Sequence, residues 1–167
     1  MKKTALITGA TSGIGEACAR RFAKGGYDVI ITGRRVQHLA TLKKELESED
    51  VRVLAVAFDV RNRKAATAAI NSLPPDWQQI DVLVNNAGLA LGLEPEYEGS
   101  FDDWETMIDT NVKGLLTMTR LVVPGMVKRN SGHIINNAIG GTLSTSGALP
   151  AMQLMPAAMS IVQRKLL

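Results

Sequence analysis

The sequence predicts an α/β fold with a doubly wound parallel sheet, and three observations support that prediction. Short apolar runs alternate along the chain with longer segments whose apolar residues recur at helical spacing. The first run leads through a glycine-rich turn into the first helical segment. The third run contains few polar residues, which is typical of a strand buried on both faces. Together these features indicate successive βαβ units, the arrangement of a Rossmann fold.

Each predicted strand is a short apolar run bounded by glycine, proline or polar residues. The predicted strands cover residues 4–8, 27–33, 51–58, 81–85 and 132–136. In a Rossmann fold we expect them in the order 3-2-1-4-5, with a ligand crevice at their carboxyl ends.

The predicted helices are residues 13–24, 36–48, 62–72 and 102–128. In the second of these, Leu39, Leu42 and Leu46 recur at the spacing of one helical face. Pro74 ends the third helix, because proline cannot donate the backbone hydrogen bond that a helix needs. We expect the long fourth helix to bend near Pro124.

The overall composition is that of an ordinary globular domain. The chain has 167 residues and a net charge of +3, with no cluster of basic residues that would indicate nucleic acid binding. The single cysteine, Cys18, excludes an internal disulfide and fits a reducing compartment. No apolar run reaches membrane-spanning length, and the amino-terminal apolar stretch breaks at Thr8 and Gly9, so we expect a cytoplasmic protein without a membrane partner.

The glycine-rich segment TGATSGIG, residues 8–15, lies between the first strand and the first helix. Gly9 permits a tight turn, while Gly13 and Gly15 allow backbone N–H groups and the positive helix end to approach a diphosphate. The alternative is a plain glycine turn without a ligand. The candidate cofactor-binding residues of this segment are Gly9, Thr11, Ser12, Gly13, Ile14 and Gly15.

Four motifs in order resemble the short-chain dehydrogenase/reductase family. They are the T-G-x-x-x-G-x-G spacing at 8–15, FDV at 58–60, NNAG at 85–88 and TNVKG at 110–114. The stretches NNAGLALGLEP and DDWETMIDTN are most similar to the NADP-dependent 3-hydroxy acid dehydrogenases of the serine and malonic semialdehyde type. The resemblance covers residues 4–136 and implies a dinucleotide-binding Rossmann domain over residues 1–136.

Two arginines follow the second strand, where an NAD-binding protein would carry an acidic residue for the ribose hydroxyl. A guanidinium matches the geometry of a phosphate, so Arg34, about 20 residues beyond the glycine loop and followed by Arg35, predicts NADP as the cofactor, with Arg34 on the 2′-phosphate. The alternative is a solvated basic pair at a strand end.

The resemblance implies roles for residues beyond the other strands. Asp59, with Val60, lies where the family contacts adenine, and Asn111 matches the family's catalytic asparagine on the following helix. The strand-4 signature supplies the candidate cofactor-binding residues Asn86, Ala87 and Gly88. Without the other motifs beside them, Asp59 would be interpreted as an ordinary strand-end residue, and Asn86 to Gly88 would be interpreted as an ordinary turn. No metal site is expected.

The family's catalytic serine and its Tyr-x-x-x-Lys motif are missing from the positions where the resemblance places them. Ile139 occupies the expected serine position, and Ile161 lies four residues before Lys165, where the tyrosine would be. The only tyrosines are Tyr27 and Tyr97, both upstream. In the family, the tyrosine donates a proton to the substrate carbonyl and the lysine lowers the pKa of that phenol.

A shifted reading frame accounts for the missing motif. One base back, codons compatible with the tail permit YAGGNVYSATK opposite residues 155–165, with tyrosine opposite Ile161 and lysine opposite Lys165. Upstream, the same frame permits GHIINIGSTAG opposite residues 141–151, with the serine opposite Ala148. The same frame permits a second GHIIN that begins nine codons minus one base, or 9 × 3 − 1 = 26 bases, after the first. This spacing indicates a 26-base tandem duplication. Residues 137–167 are therefore predicted to be an out-of-frame tail on a C-terminally truncated domain, the alternative being a naturally divergent terminus.

Two functions are open at this point. The resemblance implies an NADP-dependent oxidoreductase that transfers hydride between NADP(H) and a small 3-hydroxy acid, with these 167 residues inactive as written. The alternative is a non-catalytic NADP-binding module. Full-length family members are about half as long again and usually form homo-oligomers, and we expect an exposed edge after the fifth strand to favour association.

Overall fold

The computed structural model describes residues 2–92 and 94–137, and within them five strands form one parallel sheet. The strands are β1 Thr4–Ile7, β2 Asp28–Gly33, β3 Val53–Ala57, β4 Val82–Asn85 and β5 His133–Asn136. Their order is β3-β2-β1-β4-β5, and every neighbouring pair is parallel. The predicted fold class and strand order are confirmed.

Five α-helices accompany the sheet in the described residues. They are α1 Gly13–Lys24, α2 Val36–Leu46, α3 Arg63–Asn71, α4 Phe101–Ile108 and α5 Leu115–Arg129. The predicted second helix ends two residues early, because the chain tightens into a 3₁₀ turn at Glu47–Glu49. The Asn62 side chain accepts a hydrogen bond from the Ala65 amide at 3.0 Å and so caps α3. None of the described helices has the combination of length and apolar character needed to cross a bilayer.

Alternate residues of the central strands point to opposite faces of the sheet and produce two apolar cores. Ala5 and Ile7 of β1 pack in one core with residues of α1 and α2. Leu6, between them, packs in the other core with residues of α3 and α5. The helices therefore cover both faces of the sheet, which is why the central strands present apolar residues on both faces.

The prediction that the third strand is buried on both faces is wrong. Only Val53 of β3 is buried; residues 54–56 are half-buried and Ala57 is exposed. The reason is position, because β3 is an edge strand that pairs with β2 alone among the described strands. A low content of polar residues did not distinguish an edge strand from a central one.

The long fourth helix is helical from Phe101 to Arg129, but its geometry changes at a place the sequence did not indicate. Residues Asp109–Gly114, between α4 and α5, form a π-helical segment. Pro124 lies inside α5. The bend expected near this residue stays a prediction. The wider π turn contains Asn111, and such segments are frequent at functional sites.

Candidate functional site

A cleft of about 500 Å³ opens at the carboxyl ends of β1 to β5. All of the predicted cofactor-binding residues except Gly13 and Gly15 line it, and so does Asn111. The lining also includes residues that the sequence analysis did not select: Gly33, Phe58, Arg61, Asn85, Leu89, Ala90, Thr110, Leu115 and Asn137. The predicted residues are thus brought together, while their roles stay predictions.

The glycines of the loop after β1 differ in what surrounds them. Gly9 has a φ of +67°, and a Cβ there would lie 2.8 Å from the Cα of Ala87. A Cβ on Gly15 would overlap the Gly9 carbonyl oxygen and the Nδ2 of the Asn86 side chain. Gly13, with a φ of +55°, faces open space. The loop is therefore packed tightly against the β4 turn but open at the start of α1, where an anion could approach backbone N–H groups.

Thr8 joins this loop to the turn after β4. Its buried hydroxyl donates to the Val84 carbonyl at 3.3 Å and accepts from the amides of Asn86 and Ala87, both at 3.0 Å. The Asn86 side chain donates in return to the carbonyls of Thr8 and Gly9 at 3.0 and 3.2 Å. Hydrogen bonds from Thr8 and Asn86 thus connect the first motif, TGATSGIG, with the third motif, NNAG. This explains the threonine at the start of the first motif and the asparagine within the third.

The two arginines after β2 lie in different surroundings. The Arg35 Nη2 donates to the Ser12 hydroxyl at 2.8 Å and to the hydroxyl and carbonyl of Thr11, both at 2.9 Å. Arg34 is 59% exposed, and its Nη1 lies 3.9 Å from the Asp59 carboxylate. Arg35, rather than Arg34, therefore combines a guanidinium with two hydroxyls beside the start of α1.

Asp59 at the end of β3 is held chiefly by Arg61. The Arg61 guanidinium reaches both carboxylate oxygens at 2.7–3.1 Å, and the Arg61 amide donates to Oδ1 at 2.9 Å. The hydrogen bonds from Arg61 lower the pKa of Asp59, with a smaller contribution from the charge of Arg34. Asp59 is therefore a stable carboxylate acceptor at neutral pH.

Asn111, on the π-helical segment, is tied to the backbone of Leu89. Its Oδ1 accepts from the Leu89 amide at 2.9 Å and its Nδ2 donates to the Leu89 carbonyl at 2.8 Å. A Cβ on Gly88 would approach the Asn111 Oδ1 to 3.2 Å. Both polar atoms of the Asn111 side chain are thus hydrogen-bonded to the backbone of Leu89, in the turn after β4, while its predicted catalytic role stays a prediction.

Amide side chains also connect the ends of β4 and β5. The Asn85 Nδ2 donates to the Asn136 Oδ1 at 2.9 Å and to the Thr119 hydroxyl at 3.0 Å. Asn137 donates to the Asn86 Oδ1 at 2.8 Å and is the last described residue of the cleft. The remaining positions of the predicted tail, with Ile139, Ala148, Ile161 and Lys165, lie outside the described residues.

Neither tyrosine of the chain lies in the cleft. Tyr27 precedes β2 and packs edge-on against Phe22, with ring centroids 5.1 Å apart. Tyr97 is 85% exposed, in the segment before α4. Among residues 2–92 and 94–137, no group of three or more His, Cys, Asp or Glu side chains is placed to hold a metal ion. The polar side chains of the described cleft are guanidinium, hydroxyl and amide groups and the Asp59 carboxylate.

The sequence profile of the short chain dehydrogenase family matches residues 3–151. The chain belongs to the short chain dehydrogenases. The resemblance inferred from the four motifs is thereby confirmed. Within this family the chain is 59% identical over 145 residues to an NADP-dependent 3-hydroxy acid dehydrogenase, YdfG, of Salmonella typhi, covering 87% of this chain and 55% of the relative. It is 56% identical over the same length to YdfG of Escherichia coli K12.

Solved structures agree with this assignment. The serine dehydrogenase of Escherichia coli superposes with a TM-score of 0.81 at 48% identity, covering 96% of this chain and 72% of that one. A closed serine dehydrogenase complexed with NADP+ superposes with a TM-score of 0.82 at 48% identity, covering 96% and 62%. This short chain dehydrogenase spans about half the length of the curated relatives it matches.

Proposed function

We propose that the chain binds NADP(H) in the cleft, with the 2′-phosphate on Arg35, Thr11 and Ser12. The observation that supports this most directly is the Arg35 guanidinium, which already donates to both hydroxyls beside the start of α1. A guanidinium and hydroxyl groups can together donate several hydrogen bonds to one phosphate. Arg34, exposed at the same strand end, adds a second positive charge.

The order of the strands orients the rest of the cofactor in this proposal. The start of α1, where Ser12 and Ile14 line the cleft and Gly13 leaves the backbone open, would hold the diphosphate, because backbone N–H groups and the helix dipole there favour an anion. The 2′-phosphate belongs to the adenosine half, so this half extends toward β2 and β3. Asn86, Asn111 and Asn137, which line the opposite part of the cleft, would then face the nicotinamide half. The NADP-dependent relatives and the NADP+ complex support this choice of cofactor.

Binding measurements with NADPH and NADH test the proposal. We expect the wild-type chain to prefer NADPH, and Arg35→Ala to lose about tenfold to a hundredfold of NADPH affinity, because charge-assisted hydrogen bonds contribute about 1.5–3 kcal/mol. NADH affinity should change little. Arg21→Ala is the matched control, because Arg21 is exposed on α1 and does not line the cleft. Equal affinity of the wild type for the two nucleotides would contradict the proposal.

For the whole protein we propose hydride transfer between NADP(H) and a small 3-hydroxy acid or its carbonyl form. The support is the similarity to the 3-hydroxy acid and serine dehydrogenases. When bound, the nicotinamide supplies or accepts the hydride. The chain's own residues bind the diphosphate and 2′-phosphate and, through Asn111 and Asn86, fix the backbone turns that face the nicotinamide half.

We further propose that these 167 residues bind cofactor without turning substrate over. Reduction of a carbonyl needs a proton donor for the alkoxide, and such general acid catalysis contributes about 10²–10⁴-fold. Both tyrosines lie outside the cleft, and the Asn111 amide neither titrates near neutrality nor is free of Leu89. This observation favours the second candidate function, a non-catalytic NADP-binding module.

An activity assay of two versions of the gene distinguishes the candidates. One encodes the chain as it is; in the other the proposed 26-base repeat is deleted, which would restore serine, tyrosine and lysine together. We expect the repaired product to oxidise serine or a small 3-hydroxy acid with NADP and the 167-residue chain to be inactive. Robust turnover by the 167-residue chain contradicts the account, as does DNA whose shifted frame has no tyrosine codon opposite Ile161.

A further inference from the structure

Two arginines and one carboxylate meet at the β3 end of the cleft. Asp59 accepts three hydrogen bonds from the Arg61 guanidinium at 2.7–3.1 Å. The Arg34 Nη1 lies 3.9 Å from Asp59 Oδ2, within ion-pair distance but beyond hydrogen-bonding distance. All three side chains line the cleft. Asp59 is thus paired with Arg61, while Arg34 remains close to the same carboxylate.

The Asp59 charge would oppose binding of a 2′-phosphate if nothing neutralised it. A carboxylate repels a phosphate in the same cleft, and it also attracts Arg34, the neighbouring cation, away from that phosphate. Arg61 reduces both effects, because it occupies both carboxylate oxygens and supplies the compensating charge. The Asp59 side chain is 26% exposed, so this charge is only partly screened by water.

We infer that Arg61 is a specificity-determining residue: by holding Asp59, it keeps Arg34 available as the second cation for the 2′-phosphate and so strengthens the preference for NADP over NAD. This inference rests on the proposed function. Arg61 acts through Asp59, without contacting the phosphate itself, so it is a positioning residue. NADH lacks the 2′-phosphate but carries the same adenine, so a change in the Asp59 contact with adenine affects both nucleotides and the ratio of their affinities reports the effect on the 2′-phosphate.

The inference predicts a selective effect that depends on Asp59. In Arg61→Ala, Asp59 is left unpaired and takes Arg34 as its partner, so the ratio of NADPH to NADH affinity should fall about tenfold. In Asp59→Ala/Arg61→Ala the carboxylate is gone, and the ratio should return to within about threefold of wild type. Arg61→Lys keeps the charge but cannot reach both carboxylate oxygens, so it should lie between wild type and Arg61→Ala.

The test is titration of wild type and the three variants with NADPH and NADH, with thermal melts to show that each is folded. A ratio that falls in Arg61→Ala and recovers in the double variant supports the inference. A ratio unchanged in Arg61→Ala overturns it, and so does a ratio that falls but does not recover, because Arg61 then acts directly or through the fold. A wild type without NADPH preference would instead refute the proposed cofactor, which separates the two failures.

Discussion

Thr8 and Thr32 are a matched pair of buried threonines for which the structure predicts opposite effects of the same substitution. They are 2% and 1% exposed, at the ends of neighbouring strands. The Thr8 hydroxyl accepts from the Asn86 and Ala87 amides, both at 3.0 Å. The Thr32 hydroxyl has no hydrogen-bond partner among the described residues. Valine has nearly the shape of threonine, so Thr→Val removes the hydroxyl and little else.

The magnitudes follow from what each substitution leaves behind. Thr8→Val leaves two partly buried N–H groups unpaired, and an unsatisfied buried polar group costs about 1–3 kcal/mol. We expect the free energy of unfolding to fall by about 2–4 kcal/mol, a large part of the 5–15 kcal/mol typical of a domain. Thr32→Val removes a hydroxyl that is already unsatisfied, so stability should be unchanged or rise by about 1 kcal/mol.

Urea denaturation, followed by the fluorescence of Trp77 and Trp104, measures both effects. The same variants should separate in binding, because only Thr8→Val releases the turn that carries Asn86 into the cleft. NADPH affinity should therefore fall in Thr8→Val and stay unchanged in Thr32→Val. Equal destabilisation by the two substitutions would refute the assignment of Thr8 as the link between the first and third motifs.

Three further predictions concern the loop, a helix cap and a carboxylate. Gly15→Ala should lower the free energy of unfolding by about 2 kcal/mol in urea denaturation, because the added Cβ would overlap the Gly9 carbonyl oxygen. Ala in place of Gly ordinarily stabilises a helix by about 1 kcal/mol, so a stabilised variant would contradict the overlap. Asn62→Ala should cost about 1 kcal/mol through loss of the α3 cap, and a change under 0.3 kcal/mol by the same assay would refute the cap. The pKa of Asp59 is lowered in the folded chain, so its contribution to stability is present above about pH 4 and is lost as the pH falls through the folded pKa. The stability difference between wild type and Asp59→Asn should therefore shrink from pH 6 to pH 3. A constant difference would contradict this prediction.

Local pattern was sufficient to predict the central part of the fold. A few adjacent residues were enough to predict each of β1, β2 and β4, because each is a short apolar run. The same holds for the glycine-rich turn between β1 and α1. Their periodicity and the resemblance together predicted the strand order. The π-helical segment and the half-buried β3 were not predictable in this way, because each depends on contacts between parts of the chain distant in sequence.

The site shows the same division. Glycines, arginines and asparagines at strand ends were identified as candidates because their chemistry is visible in the sequence. The partners that define their roles were not, because Arg35 lies 24 residues from Thr11, and Asn111 lies 22 residues from Leu89. Arg34 and Arg35 are adjacent and chemically identical, so only the folded chain distinguishes the one on the Thr11 and Ser12 hydroxyls from the one near Asp59. Arg61 was overlooked, although its spacing of two from Asp59 was a usable signal.

NMR observes directly whether NADP(H) binds in this cleft with its 2′-phosphate on Arg35, Thr11 and Ser12. The ¹⁵N-labelled chain is titrated with NADPH, and with NADH for comparison. We expect NADPH to shift the amides of Ser12, Gly13, Arg35 and Asn86, and the difference between the two nucleotides to be largest at Ser12 and Arg35. Shifts confined to residues outside the cleft, or identical responses to the two nucleotides at Ser12 and Arg35, would contradict this expectation.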